Sequence, residues 1–210
     1  MNAENESRPD RPFYEVLYGR RSVRRYGERP IPPEVLTRLL DAACQAPSAH
    51  NSQPWRFVVV ARGALRDALA ERMGARFRED LLRDGMSEAE AEAQVERSRQ
   101  RLRHASALIV ACLTMEDMAR YPDAGRQALE EQMGVQSVAA AVQNLLLAAH
   151  AEGLAACWMC APLFCPEVVR EVLALPPHWR PQAFVTLGYA AEPPKEKALA
   201  PLVSRILYRG

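Results

Sequence analysis

The sequence predicts an α+β domain in which helices cover both faces of a small sheet. Three observations carry this reading. Apolar runs at helical spacing interleave with short continuous apolar runs, both are irregular in length, and no glycine-rich phosphate loop follows the first strand. A dinucleotide-binding βαβ unit is therefore not supported. At 210 residues, 49% hydrophobic and 25% charged, the chain is long enough for one well-buried domain and has the composition of an ordinary globular protein.

Taken in order, RPFYEVLYGRRS has apolar residues at helical spacing and stops at Arg20, Arg21, Arg24 and Arg25, so a short helix runs into a basic loop. Pro33 suits a first helical turn, and Val35, Leu36, Leu39, Leu40 and Ala43 follow on one face until Pro47. WRFVVVA holds three valines in a continuous apolar run, which fits a strand buried on both faces. Ser87 and Glu90 stand in capping-box spacing before a charged helix, read as an arm or lid over 87–105. SALIVACLT is a second buried strand. The helix from Gly125 to Gly153 turns almost wholly apolar after Ser137, which places it in a core or a subunit interface. LAACWMCA and QAFVTLGYA read as further strands, with the short helix CPEVVREVLAL between them. One domain spans 1–210, with 1–10 expected to be flexible and 192–210 an extended tail.

Lys plus Arg at 27 against Asp plus Glu at 26 leaves a formal charge of +1, so no global field favours nucleic acid. The N-terminal stretch has no apolar core of a secretory signal. The most apolar long segment, Val138 to Cys165, is broken by Gln143, Asn144, His150, Glu152 and Gly153 and reads as a helix and a strand, not a membrane span. Five cysteines, mostly inside apolar runs, suggest buried thiols in a reducing compartment, and the expected location is the cytoplasm.

Two segments hold more chemistry than their local structure needs. RRSVRRY places four guanidiniums and a serine hydroxyl just past a helix end, which suits a forked clamp on a phosphate; the competing reading is a solvated basic turn. QAPSAHNSQPW joins a helix to a strand, where one Pro or Gly with a Ser or Asn would suffice. Ser48, Asn51 and Gln53 supply donors and acceptors for the edge of a planar heterocycle, while Pro47, Pro54 and Trp55 wall the site; the alternative is a loop that satisfies only its own backbone. His50 has no metal-ligand spacing to His104, His150, His178 or the cysteines and reads as a surface residue. Cys157 and Cys160 read as core thiols. No Ser-His-Asp order, Walker loop or metalloprotease helix is found, which removes support for hydrolase and nucleotide-triphosphatase chemistry.

Together RRSVRRY, APSAHNSQPWRF and GYAAEPPKEK resemble the nitroreductase family of FMN-dependent oxidoreductases, and the resemblance covers nearly the whole chain. It implies a three-layer α/β/α fold with a small mixed sheet and an intertwined homodimer with FMN at the subunit interface. It implies that Arg20, Arg21 and Ser22 meet the FMN phosphate and ribityl chain and that Arg24 lies near the flavin pyrimidine. Pro47, Ser48, Ala49, Asn51 and Gln53 would reach the flavin of the neighbouring subunit. Lys195 and Lys197 would meet the phosphate, Arg101 or Arg103 would add a cation, and Met159, Cys160 and Ala161 would lie near flavin N5, where some relatives carry Glu-Gly. The implied activity moves hydride from NADH or NADPH through FMN to a small planar acceptor such as a nitroaromatic, quinone or enone, with no catalytic side chain and no metal. RSRQRLRHASALIVACLT and CWMCAPLFCPEVVREVL also look like the reductase domain of deazaflavin-cofactor biosynthesis, which leaves reduction of a dehydro precursor as an alternative. A non-catalytic flavin-binding module is the other.

Overall fold

A computed structural model of the chain describes residues 12–194 and 198–209. The expectation of a flexible 1–10 lies outside the described residues. Four strands, β1 (Trp55–Val60), β2 (Ala107–Leu113), β3 (Ala155–Met159) and β4 (Arg180–Gly188), form one sheet in the order β1-β2-β4-β3. All three strand pairings are antiparallel. The mixed direction expected of the sheet is limited to one parallel bridge between Ser22 and Ala156. Helical segments fill every connection between strands, including the shortest, from β3 to β4, which holds α6 (Pro166–Val172).

Alternation along β2 and β4 sorts the helices into layers. Ile109, Ala111, Leu113, Val185 and Leu187 face one way and pack with Leu39 and Ala43 of α2 (Pro33–Cys44) and with Val138, Ala141, Val142 and Leu145 of α5 (Ala124–Ala151). Leu108, Val110, Cys112 and Phe184 face the other way, onto Leu69, Ala70 and Met73 of α3 (Ala64–Arg83), Leu102 of α4 (Glu88–His104) and Val169 of α6 (Pro166–Val172). The result is the α/β/α layering that the sequence implied. Every residue of β2 is buried, as expected of a central strand. β1, in contrast, is an edge strand, and Val59 is 42% exposed. The run of valines reported apolar character but not the number of neighbours.

Helix α3 has no counterpart among the sequence expectations, because charged residues interrupt its apolar positions throughout. It buries Arg66, which donates from Nη1 to Ala105 O and from Nη2 to Val60 O, both at 2.5 Å. A buried charge is tolerated only where it is hydrogen-bonded. Here it ties the end of β1 to the residue before β2. Helix α4 opens at Ser87, whose Oγ accepts from the Glu90 backbone N–H at 3.4 Å and donates to the Glu90 carboxylate at 2.6 Å. Among the described residues no helix is long and apolar enough to cross a membrane.

Candidate functional site

The short helix α1 (Phe13–Gly19) ends against α5. A Cβ added at Gly19 would come within 2.7 Å of His150 Nε2, so the bare backbone is what permits this approach. The chain then runs along the free edge of β3. Ser22 bridges Ala156, the Val23 N–H donates to Ala156 O at 3.0 Å, and the Gly27 N–H donates to Tyr189 O at 2.9 Å. Tyr26 pins this strip from below: its hydroxyl lies 2.6 Å from Val23 O and 2.8 Å from Thr186 Oγ1. Burial raises the phenol well above its ordinary range, so it remains a neutral donor.

The basic cluster divides by what each guanidinium touches. Arg21 turns back and donates to Tyr18 O at 2.5 Å and Arg20 O at 3.0 Å, closing the open end of α1. Arg25 pairs with Glu192 at 3.6 Å. Arg20, Arg24 and Arg101 have no acidic partner among the described residues, and all three act electrostatically on Cys157. Burial raises that thiol, while these three cations pull it down. Arg101 comes from the last turn of α4 and lines the same cleft as Arg24. Arg103 points elsewhere, pairing with Asp67 at 3.5 Å and with Glu71 on α3. Lys195 and Lys197 lie outside the described residues.

The loop before β1 is held by a separate set of contacts. Ser48 Oγ accepts from the Gln53 N–H at 3.0 Å, and the Ala49 N–H donates to Ser137 Oγ at 3.1 Å. Ser52 Oγ donates to Met118 Sδ at 3.0 Å, and Pro54 and Trp55 are buried. Inside this frame His50, Asn51 and Gln53 take φ values of 55°, 54° and 47°, an uncommon region for residues other than glycine. Strain of this kind persists where surrounding contacts impose it, and it collects at functional sites. Pro47, Asn51 and Gln53 are exposed, and the side chains of Asn51 and Gln53 make no hydrogen bond among the described residues. His50 is exposed as expected, with Nε2 3.8 Å from the buried Glu130 carboxylate, whose other oxygen accepts from the Ala119 N–H.

At the end of β3 the chain passes from Met159 through Cys160 into a 3-10 turn, Ala161–Phe164. Cys157 is buried but Cys160 is exposed, which corrects the reading of both as core thiols. The strand ends at Met159, so the next side chain leaves the core. Cys44 is likewise exposed, and all five thiols are free.

Residues 17–189 match the nitroreductase family. The chain belongs to this family. Among relatives of this nitroreductase-family chain, an Archaeoglobus fulgidus protein provisionally named NADH dehydrogenase/NAD(P)H nitroreductase is 35% identical, over 83% of each chain. A Thermus thermophilus protein named NADH dehydrogenase is 34% identical, over 90% of this chain and 92% of the relative. A Desulfovibrio desulfuricans structure, provisionally assigned as a nitroreductase and solved with FMN, superposes with a TM-score of 0.73 at 27% identity, covering 96% and 98% of the two chains.

Sequence reasoning did not single out Ser137, Glu130 or Tyr26 as supports of the site. The first two are polar residues on a helix face, and nothing local distinguishes them from solvated positions.

Proposed function

We propose that this nitroreductase-family chain is an FMN-dependent oxidoreductase that takes hydride from NADH or NADPH and gives it to a small planar acceptor such as a nitroaromatic, quinone or enone. The observation that carries the reading is the donor set. Arg20, Arg24 and Arg101 gather over β3 without acidic partners among the described residues, and Asn51 and Gln53 are held exposed on a strained loop. Cations with a serine hydroxyl suit a phosphate, and amide side chains suit the edge of a heterocycle, so the residues fit a phosphorylated flavin. When bound, FMN supplies the hydride chemistry. Arg20 and Ser22 would hold the phosphate, and Lys195 and Lys197 would add charge. Arg21 supports them by closing α1 beside the phosphate. Arg24 and Arg101 would place positive charge beside the flavin. Met159, Cys160 and Ala161 would lie beside the ring.

The two halves of this site belong to different copies of the chain. Arg20 sits with His150 near the end of α5, whereas Ala49 is fastened at Ser137, about 20 Å earlier along the same helix at 1.5 Å per residue. A homodimer brings one copy's loop to the other's arginines. It would also take exposed apolar side chains out of water: Phe13, Tyr14 and Tyr18 of α1 and Leu199, Leu202, Val203 and Tyr208 of the tail. Its five free thiols suit a reducing cytoplasm.

The visible spectrum of the purified protein, before and after NADH or NADPH without oxygen, tests this reading. A yellow protein that bleaches and recovers its colour with an acceptor is expected. Flavin that stays oxidised would mean a non-catalytic flavin-binding module. A colourless protein that takes up no FMN would contradict the reading.

A further inference from the structure

The arginines of α4 have two different environments. Arg99 pairs with Glu71 at 3.2 Å and Glu92 at 2.8 Å, and Arg103 pairs with Asp67 and Glu71, so the face toward α3 is neutralised. Arg97 and Arg101, one turn apart on another face, have no acidic partner among the described residues. His104 extends the same stripe by a further turn. Arg24 and Arg25 stand across from it, and the two walls enclose a cleft of about 770 Å³. Its acidic lining residue, Glu96, is already engaged by Gln100 and lies 3.7 Å from Arg99.

Of the four guanidiniums that line the cleft, Arg25 is already paired with Glu192, and the other three, Arg24, Arg97 and Arg101, repel one another unless an anion enters. The proposed flavin site accounts for Arg24 and Arg101 but leaves Arg97 and His104 without a role. The cleft is also of the size that holds a whole small-molecule ligand. We infer that the part of the cleft at Arg97 binds the anionic group of the second substrate, a phosphate or carboxylate carried by the nicotinamide reductant or by the acceptor. This rests on the flavin reading and extends it: the enzyme selects charged partners over neutral ones of the same shape. A guanidinium presents paired donors to either group.

The test uses the FMN-saturated protein, unaltered and with Arg97→Ala and Arg97→Glu. FMN affinity is measured with KM for 4-nitrobenzoate against nitrobenzene under NADH, and KM for NADPH against NADH under nitrobenzene. One anionic partner should lose about tenfold in KM with Arg97→Ala and more with Arg97→Glu, the scale of one charged hydrogen bond. The neutral acceptor and FMN affinity should not move. A shift in the nitrobenzoate arm assigns the cleft to the acceptor's carboxylate, a shift with NADPH but not NADH assigns it to the 2′-phosphate, and an equal shift with both assigns it to the diphosphate they share. No shift in either arm overturns the inference. A parallel loss of FMN affinity also overturns it, because the cleft would then serve the flavin's own phosphate. If the unaltered protein neither binds FMN nor reduces nitrobenzene, the flavin reading fails first and this inference with it.

Discussion

The Ala49 N–H donates to Ser137 Oγ at 3.1 Å, and Ser137 in turn donates to Met133 O at 2.8 Å, one turn back along α5. The strained loop is thus clamped to the longest helix in the described chain. Ser137→Ala removes the acceptor and leaves the Ala49 N–H to find water. A loss of about 1 kcal/mol in stability is expected from one such bond, together with weaker FMN binding. Urea unfolding and a flavin titration check the two effects. Loss of stability with unchanged FMN affinity would separate the loop from the site.

Arg20→Ala should weaken FMN binding by about 1.5 to 3 kcal/mol, the range for a hydrogen bond to a charged group. Fluorescence quenching of added FMN measures this directly. Unchanged affinity would remove Arg20 from the site and return the cluster to a solvated turn.

Gly188→Ala should damage the same half of the site without touching a cation. Its Cβ would lie 2.8 Å from the Tyr26 ring, closer than van der Waals contact permits. Displacing the ring loosens the strip from Val23 to Gly27, at a cost of about 1 to 3 kcal/mol for overpacking. Thermal unfolding and FMN affinity should fall together.

Three thiols set a slope in alkaline stability. Burial pushes Cys112 up to about 12 and Cys165 up to about 11, and it raises Cys157 as well. Above the ordinary thiol value of 9.0 the unfolded chain releases protons that the folded chain keeps. Their contribution is therefore complete below pH 9 and falls as pH rises toward 11 to 12. Urea midpoints should decrease between pH 8 and 10. At pH 8 a thiol reagent should label Cys44 and Cys160 quickly and the other three only on unfolding.

The sequence made visible those features whose chemistry exceeds local need. Pro47, Ser48, Asn51, Gln53 and Trp55 are too many specialised residues for one turn, and the apolar runs of β2 and α5 cannot be anything but core. It concealed features that depend on direction. Arg101 and Arg103 look equivalent in the chain, yet two helical residues turn one toward the cleft and the other onto α3. Arg66 reads as solvent-exposed because arginine nearly always is, and only the fold brings the Val60 and Ala105 carbonyls to it. Ser137 and Arg20 lie far apart in sequence, so no local pattern shows that Ala49 is fastened to α5 at Ser137 while Arg20 lies by His150 near the other end of that helix.

Mixed dimers test most directly whether two copies of the chain share each site. Arg20→Ala chains are combined with chains in which Ser48, Asn51 and Gln53 are all Ala, each with its own affinity tag, and the doubly tagged dimer is isolated. Neither parent dimer should retain FMN. The mixed dimer should hold one FMN per two chains and bleach with NADH or NADPH, because one of its sites draws arginines and loop from unaltered halves. A mixed dimer as empty as its parents would place the whole site within one chain and contradict the account.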